Sequence, residues 1–174
     1  MQPPWKKHWP WIVLVVAVTA GVGLVLAYGT TATRSTPAPE VSGVKNGTMG
    51  TPVTREGILE YTVTSLNCGT ATVDGVVPKG RFCIVGITVR NMSGMARKPG
   101  ISFASAYDAR AARYLPDAVA QIRAERNGPS LLDELAPGTQ ITDRLFYDVP
   151  SDKTITSVVL RESPSSAGIR IALR

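Results

Sequence analysis

Trp11 to Tyr28 reads WIVLVVAVTAGVGLVLAY, eighteen residues without a single charge. Wound as a helix at about 1.5 Å per residue, this run spans roughly 27 Å, close to the hydrocarbon thickness of a bilayer. Only ten residues precede it. Any folded body must therefore come from the residues after Tyr28, which leave room for one domain of about 120 residues with its own core.

Lys6 and Lys7 stand before the run, and the first charge after it is Arg34. The basic flank stays cytoplasmic, so the larger C-terminal part is expected on the extracytoplasmic side of the cell membrane. Trp5, Trp9 and Trp11 at one end and Tyr28 at the other suit amphipathic rings at headgroup level. The expectation is a cytoplasmic tail (1–10), a single-pass transmembrane helix (11–28) with the lipid bilayer as its partner, and a flexible linker (29–54). A cleaved signal peptide predicts the same side of the membrane but usually has a shorter apolar region, about 7–15 residues. Val25 with Ala27, or Thr30 with Ala32, would then serve the peptidase. A buried soluble helix would need a partner core large enough to hide the whole cylinder. No cysteine lies just beyond the run, which excludes lipid attachment there.

The formal charge of +6 is no signature of a nucleic-acid partner. Residues 51–174 hold fifteen Lys and Arg against twelve Asp and Glu, spread along the chain, whereas nucleic-acid binding needs a concentrated basic face.

The stretch from Gly29 to about Pro52 is rich in Gly, Thr, Pro and Ser and has no apolar period, which reads as a tether. From Gly57 onward the period is two. Leu59, Tyr61 and Val63 alternate with Glu60 and Thr62, and the phase slips near Ser65 as at a bulge. RFCIVGITVRN (81–91) is apolar on both parities, which suits a central strand whose second face is partly covered. Ile101, Phe103 and Ser105 begin another alternation running to Tyr107, and Tyr114-Leu115 makes a short strand. Asp117 is placed as N-cap of a short helix with Val119, Ile122 and Arg126 on one side. Three further strands are predicted, at 139–149, around 155–160 and 169–173. Short strands separated by Gly/Pro turns describe an all-β domain, a sandwich or a small barrel.

Cys68 and Cys83 lie on two predicted strands with fourteen residues between them. Export permits a disulfide, and closing such a loop stabilises by about 3 kcal/mol. The alternatives are two buried thiols acting as small hydrophobes or a metal site, for which two thiolates without a nearby His fill only half a coordination shell.

His8 is the sole histidine and precedes the apolar run. The domain beyond the run thus lacks the commonest general base and metal ligand at neutral pH, and a Ser-His-Asp or Cys-His arrangement is impossible there. Asp133 and Glu134 read as a solvated loop pair. Asp143 and Asp148 differ in parity on one strand and point to opposite faces. No P-loop or dinucleotide fingerprint is present. The expectation is a non-enzymatic domain with no cofactor and no metal. Arg110, Arg113, Arg123 and Arg126 form the densest positive group, a candidate interaction patch with ordinary surface solvation as its alternative. Asn46-Gly47-Thr48 and Asn91-Met92-Ser93 fit the N-glycosylation pattern.

GRFCIVGITVRNMSG, ISFASAYDARAARYLPD and LAPGTQITDRLFYDVPSDKTITSVVL together resemble the DUF4352 family over residues 55–174. A strand ending in Asn at a turn corresponds to Val85–Asn91. The "PG…F-x-V-P" hallmark corresponds to Pro137-Gly138 and to Tyr147-Asp148-Val149-Pro150, with Tyr147 in place of the usual Phe. The resemblance implies a telokin-like, MPT63-like immunoglobulin-type β-sandwich, held behind a lipoprotein signal or membrane anchor in Gram-positive bacteria. Here the lipobox cysteine is missing, which shifts attachment onto the apolar helix. The richness in Thr, Ala, Gly and Arg fits a high-GC actinobacterial source. The expected function is a membrane-anchored extracytoplasmic binding or interaction module, its partner a cell-envelope protein or cell-wall component. The alternative is an accessory or sensory subunit of an envelope membrane complex.

Overall fold

The long strand that starts at Leu59 organises the domain. The computed structural model describes residues 43–124 and 130–174. The tail (1–10), the apolar span (11–28) and linker residues 29–42 lie outside the described residues. Among the described residues, no helix is long and apolar enough to cross a membrane.

Nine strands among the described residues form two sheets. They are β1 (Lys45–Thr48), β2 (Val53–Arg55), β3 (Leu59–Thr70), β4 (Arg81–Asn91), β5 (Ser105–Asp108), β6 (Arg113–Tyr114), β7 (Gln140–Val149), β8 (Ile155–Leu160) and β9 (Ile169–Ala172). One sheet has the order β2-β3-β4-β7 and the other β1-β9-β8-β5-β6. Between them lies the core, with Leu59, Tyr61, Val63, Val85, Ile87 and Leu145 from the first sheet facing Ala106, Ile155, Val158, Leu160, Ile169 and Ile171 from the second. Each aliphatic side chain so buried contributes about 1.5–3 kcal/mol. The alternation of Leu59, Tyr61 and Val63 therefore selects the inward face of β3 correctly.

The expected bulge is present. The β3–β4 register shifts between Val63 and Ser65, leaving Thr64 unpaired. Gly86 lies opposite, and a Cβ there would come within 2.7 Å of the Thr64 hydroxyl. A glycine inside the central strand is what lets the bulged segment pass over it.

Three boundaries differ from expectation. The linker does not extend to residue 54: β1 pairs parallel with β9 and β2 pairs with β3, so the sandwich begins at Lys45. Parallel pairing with a strand at the far end of the chain leaves no local period to read. Ile101–Phe103 is a single 3-10 turn entered through left-handed Gly100, and the strand begins only at Ser105. The short strand is Arg113–Tyr114 rather than Tyr114-Leu115.

The helix α1 (Ala118–Ala124) is capped as expected, with the Asp117 carboxylate accepting from the Ala120 N–H at 2.8 Å. Its buried side is reversed. Ala120 and Gln121 face inward, while Val119 and Ile122 are 58% and 59% exposed. The helix sits beside β7, and the Asp117 N–H and the Gln121 side chain donate to the carbonyls of Phe146 and Arg144. Those two carbonyls belong to an edge strand, so α1 covers an edge that would otherwise template pairing with another chain. Ala120 is small enough to rest on Phe82 and Phe146, which meet edge to face with centroids 6.4 Å apart.

Candidate functional site at the loop end of the sandwich

Cys68 and Cys83 are directly opposite on β3 and β4 and form a disulfide. Cys83 is fully buried among the core residues. The bond clips two adjacent strands across their register, and its sulfurs are committed.

Four connections converge where β4 ends. Met92 N–H donates to the Ile58 carbonyl of the β2–β3 turn, and Arg97 and Leu135 exchange backbone hydrogen bonds in both directions. Gly100 packs so closely against the connection after β8 that a Cβ would come within 2.8 Å of the Glu162 Cα. Asn91 holds the group together. Its amide nitrogen donates to the carbonyls of Met95 (2.7 Å) and Leu135 (2.8 Å), and its side-chain oxygen accepts from the Ser93 N–H and hydroxyl. All of the amide's hydrogen-bonding directions are filled. The nitrogen that a glycan would need is therefore occupied and fully buried, so Asn91-Met92-Ser93 is no modification site in the folded domain. Asn46 remains exposed on β1.

Tyr61 fixes the same end from below. Its buried hydroxyl donates to the Pro99 carbonyl at 2.9 Å. Burial, reinforced by the nearby Glu162 charge, drives its pKa far above the ordinary phenol range.

These connections enclose a depression of about 440 Å³ lined by Arg55, Glu56, Arg97, Lys98, Glu162 and Ser163, with Ile58 and Leu59 as its apolar wall. The Arg55 guanidinium is occupied by the carbonyls of Gly43 and Gly168 and lies 3.5 Å from Glu56. By contrast, the buried Nε of Arg97 and the buried Oε1 of Glu162 make no hydrogen bond among the described residues. Burial raises the Glu162 carboxyl above its ordinary range, and Glu56 adds to that, while the Leu59 N–H, Arg97 and Arg55 work against it. Both atoms have essentially no accessible surface and so lie behind the wall of the depression, whose lining is a mixed group of cationic and anionic side chains. Sequence reasoning gives no sign of it, because its residues come from three separate connections.

The described arginines of the candidate patch occupy separate elements. Arg110 is on the β5–β6 turn, beside the Asp108 carboxylate that accepts the N–H groups of Arg110 and Ala112. Arg113 is on β6 and donates to the Ser105 hydroxyl at 2.9 Å. Arg123 is on α1, lining a shallow hollow with Asp74 and Arg144. Arg126 lies outside the described residues. The carboxylates have structural duties: Asp148 accepts from the N–H groups of Lys79 and Gly80, and Asp133 from that of Ser130. Among the described residues, no group of His, Cys, Asp and Glu is arranged to hold a metal ion.

Two facing sheets, a covered edge and loops gathered at one end define an immunoglobulin-like β-sandwich. Residues 50–171 match the family described as "Domain of unknown function (DUF4352)", and the chain belongs to that family. Its fold is shared with the secreted protein MPT63 of Mycobacterium tuberculosis, at 20% identity and a TM-score of 0.61, covering 75% of this chain and 98% of that one. The yjhA protein of Bacillus subtilis is similar at 13% identity and a TM-score of 0.56, covering 74% and 99%. A conserved hypothetical protein of Bacillus anthracis is similar at 16% identity and a TM-score of 0.51, covering 66% and 88%. No curated protein matches the chain.

Proposed function

We propose that this protein is an extracytoplasmic binding or interaction module, held at the membrane by residues 11–28 and engaging a cell-envelope protein or cell-wall component. The observation that carries the binding role is the loop end. Asn91 and Tyr61 spend buried hydrogen bonds on fixing connections that are distant in sequence, and the rigid group surrounds a depression lined by Arg55, Glu56, Arg97, Lys98 and Glu162. Preorganised loops at one end of a sandwich suit recognition, since little ordering entropy remains to be lost on binding. The anchor rests on the apolar run and the basic flank before it. The secreted relative MPT63 is in keeping with a domain that works outside the cytoplasm.

The test is affinity capture from solubilised membranes with the full chain as bait, beside a chain carrying Arg97→Gln and Glu162→Gln. The reading expects an envelope component retained by the first and lost from the second. Equal recovery from both would remove the loop end from the interaction. Replacing residues 11–28 alone with an unrelated apolar helix should leave capture intact. Loss on that exchange would favour an accessory subunit that recognises its complex through the span.

A further inference from the structure

We infer that the edge of the sandwich carrying β6 and α1 is a lipid-docking surface, which lays Leu115, Val119 and Ile122 into the headgroup region of an anionic bilayer with arginines on either side. The inference concerns a face other than the loop end, and it rests on the reading that residues 11–28 hold the chain at a membrane.

A helix resting on a sheet ordinarily turns its large apolar residues inward. The helix α1 does the reverse. Ala120 and Gln121 are buried, whereas Val119 and Ile122 are 58% and 59% exposed and, three residues apart, are neighbours on one helix face. Leu115, on the connection leading into α1, is 59% exposed as well. Exposed hydrophobics scattered singly need no explanation, but a group of them marks a contact surface.

Charge indicates what covers the group. Arg110 and Arg113 precede Leu115, Arg123 follows Ile122, and all three arginines are exposed. None of them belongs to an ion pair, since those among the described residues are Arg55–Glu56 and Asp152–Lys153. The two acids of the stretch are committed elsewhere. Asp108 is buried and accepts from the N–H groups of Arg110 and Ala112 and from the Tyr114 hydroxyl, while Asp117 caps α1. Apolar side chains flanked by unpaired cations fit the boundary between acyl chains and anionic headgroups. An apolar protein groove would accept the three hydrophobics but leave the arginines without counterions.

The scaffold is ready for such contact. One edge of the two sheets is closed by β6 and β7, and the other by β1 and β2. Bonds from the Asp117 N–H and the Gln121 amide seat α1 on β7, with Ala120 against Phe82 and Phe146, so its exposed side needs no rearrangement to meet a surface.

The experiment attaches one fluorophore to the full chain, either at Ala118→Cys on α1 or at Thr51→Cys in the turn on the opposite edge, with the native disulfide kept oxidised. Each labelled chain is reconstituted in vesicles of phosphatidylcholine, alone or mixed with phosphatidylglycerol, containing a spin-labelled lipid as quencher. Quenching should be strong at Ala118→Cys in the anionic vesicles, weaker there in phosphatidylcholine alone, and weak at Thr51→Cys in both. Added salt should relieve it. At roughly fivefold per arginine, Arg110→Gln with Arg123→Gln should lower the docked-to-free ratio more than about tenfold. Val119→Ser with Ile122→Ser should lower it as well, with thermal unfolding showing that each variant is folded. Equal quenching at both labels, or quenching at Ala118→Cys that ignores lipid charge and salt, would overturn the inference. So would a label there that responds only to an added envelope protein fraction, which would give the face a protein partner. Alkaline carbonate washing tests the anchor separately. A chain stripped from the vesicles ends the membrane-held reading, whereas a chain that stays with the Ala118→Cys label unquenched ends the docking inference alone.

Discussion

The Gly138 N–H donates to the Asn91 carbonyl at 2.9 Å, and the Asn91 N–H returns a bond of the same length to the Thr139 carbonyl. The strand-ending Asn and the Pro-Gly turn, two features that mark the family far apart in sequence, are thus one hydrogen-bonded unit. Asn91 adds its side-chain bonds to Met95 and Leu135, so a single buried residue sets the geometry of the loop end.

Replacing Asn91 should therefore be costly although it touches no solvent. Asn91→Ala removes four side-chain hydrogen bonds, two donated to the carbonyls of Met95 and Leu135 and two accepted from Ser93, and a loss of about 2–4 kcal/mol is expected. Asn91→Asp keeps the shape but removes both donors and should lose a comparable amount. Urea unfolding of both variants measures this. Retention of wild-type stability would show that the loops are held elsewhere.

The disulfide links strands that already pair along most of their length, so its contribution lies mainly in the unfolded chain. Cys68→Ser with Cys83→Ala should lower stability by about 3 kcal/mol while leaving the far-ultraviolet dichroism unchanged. Loss of the β signal in the double variant would mean that the bond is needed to form the sheet.

Two carboxyls should give pH dependences of opposite sign. Asp108 is held below its ordinary value of 3.8, chiefly by the Ala112 N–H and also by the Arg110 N–H and the Tyr114 hydroxyl. Its stabilisation is present above that value and disappears as pH falls through the lowered folded pKa, so Asp108→Asn should be less stable than wild type at neutral pH and approach it in acid. Glu162 is raised above 4.5 by burial. The folded state then holds its proton longer than the unfolded one, and wild type loses stability as pH rises from 4.5 through the folded pKa. Glu162→Gln escapes that loss, so its stability relative to wild type should rise across this window and level off above it. Unfolding midpoints at a series of pH values check both, and parallel curves for either variant would contradict the corresponding assignment.

The reversed helix face has its own test. Val119→Ser and Ile122→Ser change exposed positions and should shift stability by no more than about 0.5 kcal/mol each. Ala120→Leu forces a larger side chain onto Phe82 and Phe146 and should cost about 1–3 kcal/mol. The opposite ranking in thermal unfolding would restore the apolar pair to the interior.

The strands are legible in the sequence because a half-buried strand writes its burial in every second residue, and Leu59, Tyr61 and Val63 do so. The cysteine pair is legible because both residues sit on such strands. Val119 and Ile122 mislead about α1, since the helix is seated by one small residue, Ala120, over two aromatic rings on the outer face of a sheet. The strand β1 and the depression are illegible for a shared reason. Both depend on partners far away in the chain: β9 for the first, and the 92–100 and 161–168 connections for the second. No local period records such meetings.

The most direct measurement of the central claim is protease added to intact cells without an outer barrier, followed with an antibody to the chain. An extracytoplasmic domain tethered at residues 11–28 should be released or trimmed while cytoplasmic markers survive. Full protection in intact cells with digestion only after lysis would contradict the account.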